Sequence, residues 1–366
     1  MPRKTQHWLL LPATLLLAGR IAVAADPAHL QRLADTGRCP QCDLSGANLS
    51  SMRLMSADLA GADLRGATLR KTILFRADLS NADLRGADLE QASLGRINLV
   101  GAQLQQLDLS NARLAHSNLR GAQLQGSKLS KAMLEHVDLR DADLAGADLS
   151  EATLRHAKLD GANLERANLR NADLRQLDMH RVRSLRDSDM SGTRFHNSRL
   201  DGLDMTGARL EGADISATDM SQVRMDAVAM SGVKIRKVDL SQASLAGADL
   251  QRADIIGIKL TGANMQSVNA SGAILQGNLI GADFSDAKLH GTDLAGANLK
   301  DAKLHKADLT RANLSSSNLY AADLSGATLA HTNLSNANLR EARLEDVELG
   351  SAVLDGARGV PAQDAR

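Results

Sequence analysis

The run Ala57-Asp58-Leu59-Ala60-Gly61-Ala62-Asp63-Leu64-Arg65-Gly66 holds the reading that decides the fold. Working outward from it, Leu returns at every fifth position from Leu44 to Leu174, 27 times in succession. Two places before the Leu usually stands a small residue, most often Ala, as at Ala57, Ala62, Ala77, Ala82 and Ala87. One place before it usually stands Asp or Asn, as at Asp58, Asp63, Asp78, Asp83 and Asp88. A period of five matches neither the 3.6 of a helix nor the 2.0 of a strand, so no single amphipathic element can carry it. It can bury one Leu and one small residue per segment if the chain turns at every segment. Stacked turns then share one continuous core. Gly61, Gly66, Gly86, Gly101 and Gly121, each two places after a Leu, suit corners that need unusual backbone angles. The Asp and Asn residues suit bonds from side chain to neighbouring backbone that favour turns.

This Ala-(Asp/Asn)-Leu-x-x pattern, present over nearly all of residues 39–356, resembles the pentapeptide repeat family. The resemblance implies an all-β fold, a right-handed quadrilateral β-helix with four pentapeptides per coil. The central Leu and the small residue would face inward and the other three positions outward. Leu44, Leu49, Leu59, Leu64, Leu84, Leu144, Leu149, Leu299 and Leu324 are then core residues. Counting from Leu44 to Leu354 gives 63 repeats, or about 16 coils. At the ~4.8 Å spacing of hydrogen-bonded strands the rod would be roughly 75 Å long.

The phase slips twice. Met179 to Leu185 spans six residues, and one residue is lost between Ala270 and Leu279. Between the slips the central position passes from Leu to residues such as Met190, Phe195, Met205, Ile215 and Met265. The small position swells to Leu203, Val223, Val228, Val233 and Ile258. Flexible Met suits an irregular, wider tube. The zone 180–278 is therefore expected to form less regular coils that open more readily.

Residues 1–24 read as a secretory signal: Arg3 and Lys4, an apolar run from Trp8 to Leu17, and Ala22-Val23-Ala24 as a small-x-small cleavage pattern. The apolar run is too short to remain as a membrane span. Residues 25–38 read as a short helix lidding the first coil: Asp26-Pro27 marks its start, Leu30 and Leu33 its apolar stripe, and Gly37 its stop. Residues 357–366 form a C-terminal tail that leaves the last coil bare, where a second copy could pair end to end. Cys39 and Cys42 are the only cysteines. In an oxidising compartment they suit a local disulfide; small apolar packing and redox chemistry are the alternatives. Asp43, not His, follows Cys42, so the haem-attachment pattern is absent.

Lys+Arg and Asp+Glu are 43 each; loss of Arg3, Lys4 and Arg20 with the leader leaves a net of about −3. That balance gives no support to a phosphate-binding surface, so no nucleic-acid partner is expected. Beyond Trp8, the aromatics are Phe75, Phe195, Phe284 and Tyr320, too few for a stacking platform. The sequence holds no nucleophile elbow, phosphate-cradling Gly loop, paired-His metalloprotease motif or EF-hand loop. No cofactor and no enzymatic activity are expected. Placing residues modulo 20 does stack Arg76, Arg96, His116, His136 and His156, followed by Gln176, on one side. Such a column suits a metal ion or an anionic ligand. The expectation is a non-enzymatic exported scaffold, periplasmic or secreted, structural or protein-binding in the cell envelope. Ligand capture on the Arg/His column is the alternative. The resemblance also offers DNA mimicry of the kind that protects DNA gyrase, which a near-neutral exported chain fits poorly.

Overall fold

The computed structural model describes residues 25–360; residues 1–24, on which the secretory-signal reading falls, and the last six residues lie outside the described part. Each pentapeptide makes one side of a coil and a corner. Leu59 N–H donates to Asp78 O of the next coil (2.8 Å), Asp78 N–H donates back to Ala57 O (2.8 Å), and Ala62 N–H closes the corner on Leu59 O (3.0 Å). Repeated along the chain, these bonds build a parallel β-solenoid. Residues 20 apart pair, from Arg38 with Asp58 to Asn338 with Arg358. The nine leucines named above are at most 1% exposed, and Phe195 and Phe284 fill central positions in the same core. At two small positions held by Thr the hydroxyl is satisfied by the coil below: Thr72 donates to Leu49 O (2.8 Å) and Thr332 to Leu309 O (2.7 Å).

The Asp/Asn column is structural as expected. Asp63 and Asn48 accept from the N–H two residues on (both 3.1 Å). Stacked Asn side chains also bond one another, Asn318 donating to Asn298 (3.0 Å) and Asn338 to Asn318 (3.1 Å). The carboxylates of Asp43, Asp63, Asp138 and Asp323 are all held below the ordinary range. The first and last accept from the hydroxyls of Ser45 and Ser325, the middle two from the guanidinium groups of Arg65 and Arg140. A carboxylate whose folded pKa is depressed stabilises the fold above its unfolded pKa and loses that contribution as pH falls through the folded value. Thermal melts should therefore be flat from pH 7 to about pH 5 and fall below about pH 4; melts unchanged at pH 2.5 would contradict this.

Helix α1, Pro27–Thr36, lies against the first coil through buried Leu33. Asp26 accepts from Ala28 N–H (2.8 Å), and Gly37 closes the helix in the left-handed conformation. Cys39 and Cys42 are bonded to each other, both buried in that coil.

The slips are absorbed locally. Arg183 and Ser184 stand between buried Val182 and Leu185, so one coil has 21 residues and Asn163 pairs with Ser184. At the other end Asn264 pairs with Asp283, 19 residues away. The zone between keeps its inter-coil pairing apart from Ser184 with Asp204. It carries the five longest extended segments: β1 (Arg194–His196), β2 (Asp214–Ser216), β3 (Lys234–Arg236), β4 (Asp254–Lys259) and β5 (Ile274–Asn278), paired in parallel in that order. Ile215, Ile235 and Ile255 stack in register on its inner face. β-Branched residues favour extended backbone, which corrects the expectation drawn from irregular composition. Amides of β2–β4 should exchange no faster than those of residues 119–169; hydrogen exchange faster by an order of magnitude across the zone would restore the looser picture.

Candidate functional site

One side of the solenoid runs through Arg53, Ile73, Ser93, Arg113, Met133, Thr153, Asp173 and Arg194, successive residues being paired except Ser93 with Arg113. Two residues further along each repeat is a second outward row, and one further again is the corner that holds Arg76, Arg96, His116, His136 and His156. The structure therefore brings the five residues of the column together. All five are exposed and sit at φ of 57–60°, in the left-handed region. Only corner geometry puts non-glycine residues there routinely, at a steric cost of about 1–2 kcal/mol each. The sequence marked this position by its glycines without revealing that Arg and His share the conformation.

The histidines stack. The His116 and His136 rings lie 4.8 Å apart and within 4° of parallel, and His136 and His156 lie 4.8 Å apart at 16°. Ring nitrogen lone pairs lie in the ring plane, so parallel stacked rings aim them side by side and not at a common point. Among the described residues, no group of three or more His, Cys, Asp or Glu is placed to hold a metal ion. The arrangement instead lines up polar ring edges beside Arg76 and Arg96, a geometry for an anion.

The period could not reveal what lies beside the column. Met55 is exposed and Ile73 and Phe75 are half-buried, making an apolar patch on the same side, and exposed Met133 lies three coils further along, beyond Ser93 and Arg113. The Arg76 guanidinium lies 5.3 Å from the Phe75 ring centroid, close enough for a cation–π contact. Higher up, the buried Asp173 carboxylate accepts from Arg155 (2.9 Å) and Arg175 (2.6 Å), with Arg194 3.6 Å away. Taken along its length, the side carries Arg53, Arg76, Arg96, Arg113, Arg155, Arg175 and Arg194 against Glu135 and Asp173. A chain near neutral overall thus gathers positive charge on one side.

A regular solenoid of five-residue steps with buried Leu and Ala, outward polar columns and left-handed corners defines a repeat scaffold. Models of pentapeptide repeats match residues 41–70, 147–183, 188–226, 225–262, 239–277, 278–315 and 317–357, and a model of a pentapeptide repeat region matches residues 72–149. The chain belongs to the pentapeptide repeat family. No match to a curated protein is found. Among solved structures, it is similar to HetL, a pentapeptide repeat protein involved in heterocyst differentiation regulation in the cyanobacterium Nostoc sp. strain PCC 7120. That likeness has 28% identity over 63% of this chain and 88% of that one, at a TM-score of 0.36. It is also similar to QnrB1, a plasmid-mediated fluoroquinolone resistance protein, at 16% identity over 63% of this chain and 94% of that one, TM-score 0.26. A pentapeptide repeat protein of the Arabidopsis thaliana thylakoid lumen matches at 30% identity over 30% of this chain and 64% of its own, TM-score 0.20. Among the described residues, no helix is long and apolar enough to cross a membrane.

Proposed function

We propose that the protein is an exported, non-catalytic scaffold of the cell envelope, which holds a protein partner along the side that bears the Arg/His column. The observation that carries this reading is the pairing of a partly exposed apolar patch, Met55, Ile73 and Phe75, with the excess of arginine on the same side. Apolar contact area with arginine beside it is the composition that binding surfaces favour. Continuous inter-coil bonding over most of the rod offers it as a rigid surface, so little ordering entropy is lost on binding. The export part of the proposal rests on the leader pattern in residues 1–24.

Fractionation with N-terminal sequencing tests location: the mature chain should begin at Ala25 and leave the cytoplasmic fraction. A photo-crosslinking residue at Phe75 tests the surface, with Gln125, on the opposite side of the coil, as the control. A discrete product from position 75 alone is expected. Retention in the cytoplasm, or equal labelling at both positions, would contradict the reading.

A second reading is favoured by the parallel histidine stack: capture of an anionic envelope component at the corner. A His116→Ala/His136→Ala/His156→Ala variant should then lose binding to anionic lipid vesicles while keeping the Phe75 crosslink. The end-to-end dimer belongs to the same proposal. Leu344, Val347 and Leu354 of the last coil are only partly buried against the core, and sedimentation velocity would register pairing through them.

A further inference from the structure

Several outward arginines find a carboxylate inside their own repeat. Arg65, Arg85, Arg140 and Arg175 each stand one place after the central Leu and pair with the Asp one place before it, at 2.5–2.6 Å. On the first four coils of the Arg/His side that arrangement is missing. Arg53 and Arg113 take the place before the Leu, and Arg76 and Arg96 take the corner. The place between them holds Met55, Phe75, Gly95 and Ala115, so no repeat of this stretch supplies an acid.

The carboxylates of the two neighbouring sides are already engaged. Asp58 pairs with Arg38 (3.1 Å), Asp78 accepts from Asn98 (2.8 Å), Asp88 pairs with Arg70 (3.1 Å) and Asp108 with Lys128 (3.9 Å). The four arginines are all exposed. They put unneutralised positive charge along three strand spacings of the rod, ~14 Å.

The surface between the two rows of arginine is a shallow trough. The Phe75 ring leans along the rod over Gly95, where a Cβ would lie 3.3 Å from its Cδ2. The next residue in that column is Ala115. Ring and methyl group floor the trough, with Arg113 on one edge and Arg76 and Arg96 on the other. Beside them the N–H groups of Leu94 and Arg113 find no acceptor among the described residues, because Ser93 and Arg113 do not pair. Glu135 follows Ala115 in the floor column, and its charge closes that end to an anion.

Guanidinium groups on both edges of an uncharged floor ask for carboxylates, which arginine binds in a planar, paired geometry. Met55, Ile73 and Phe75 at the open end ask for an apolar side chain. The trough runs across the strands, so its occupant is read by side chains and not by main-chain pairing. At ~3.3 Å per residue, its length takes about four extended residues. A membrane surface fits less well, because the Phe75 ring lies along the rod and presents no apolar face that could sink among headgroups.

We propose that this trough binds a short acidic segment of the partner protein, with an apolar residue against Phe75 and carboxylates between Arg96 and Arg113. The inference rests on the reading of this side as the partner surface and adds the chemistry of the occupant.

The probe is a fluorescent peptide, Leu-Gly-Asp-Glu-Asp-amide labelled at its N-terminus, titrated by anisotropy into the mature chain. The comparisons are its uncharged counterpart, Leu-Gly-Asn-Gln-Asn-amide, and vesicles of phosphatidylglycerol. The acidic peptide should bind about tenfold more tightly than the uncharged one and lose affinity as salt is raised. Arg96→Ala/Arg113→Ala should weaken it about tenfold. Arg120→Ala/Arg140→Ala removes the same charge from the next side and should change it by less than about twofold. Ala115→Leu fills the floor, leaves every charge in place and should also weaken the peptide about tenfold. Equal losses in the two arginine variants would reduce the effect to net charge and overturn the proposal, as would unchanged binding by Ala115→Leu. Vesicles held through Arg96 and Arg113, with no binding of the peptide, would assign the trough to a membrane and overturn it as well. A crosslink from position 75 without binding of the acidic peptide would sink this inference alone and leave the partner surface standing.

Discussion

Leu144→Ala is expected to lower stability by about 2–5 kcal/mol, and Leu144→Asp to unfold the middle of the rod. Leu144 is fully buried between the coils that carry Leu124 and Leu164, and its N–H donates to Asn163 O (2.8 Å). Truncation removes packing on both neighbours at once, and a narrow tube of stacked backbones cannot collapse around the void. Aspartate adds an unpaired charge where no donor can reach it. Arg140→Ala, four residues earlier on the outward side, should stay within about 1 kcal/mol, because it removes a partly exposed ion pair to Asp138. Urea denaturation compares the three. Equal losses at positions 140 and 144 would mean that the inward and outward assignments are wrong.

Gly277→Ala is the second large effect expected. At the 19-residue coil, β4 and β5 change register: Ile256 faces Gln276, yet Ile258 faces Gly277, so Gly257 is bulged out. The lost residue draws the backbone of residue 277 onto that of residue 258. A Cβ on Gly277 would lie 2.3 Å from Ile258 O and 2.8 Å from Ile258 N, and its φ of 156° belongs to glycine. Backbone strain and overpacking each contribute about 1–3 kcal/mol, so a loss of about 3 kcal/mol or more is expected. Gly121→Ala is the control: it shares the left-handed corner, but its Cβ meets nothing within 4 Å, and about 1 kcal/mol is expected. Similar losses at the two positions would show that the 19-residue coil is not held by this contact.

Much of this architecture is written in the spacing of Leu. A buried residue every fifth place, with a small residue two before it, determines what faces inward, and that in turn places Arg76, Arg96 and the three histidines on one side. The period says nothing about how neighbouring coils pack at a given height. Ring stacking of His116 on His136 depends on the left-handed corner, and outward positions such as Met55 and Ile73 carry no periodic signature of exposure. The zone 180–278 was misread for a related reason: Val and Ile look like departures from Leu and Ala, yet they extend the strands.

The central claim is that residues 20 apart in sequence are one strand spacing apart in space. Spin labels at Asn111 and Asn171, in a Cys39→Ser/Cys42→Ser background, test it directly. Both are exposed corner residues three coils apart, joined through the bonds of Asn111, Lys131 and Glu151 to successive coils. Their backbones should lie ~14 Å apart. Moving the second label from Asn171 to Glu151 should shorten the distance by ~5 Å. A separation above about 30 Å, or one that does not change in steps of a strand spacing, would contradict the solenoid and every surface column derived from it.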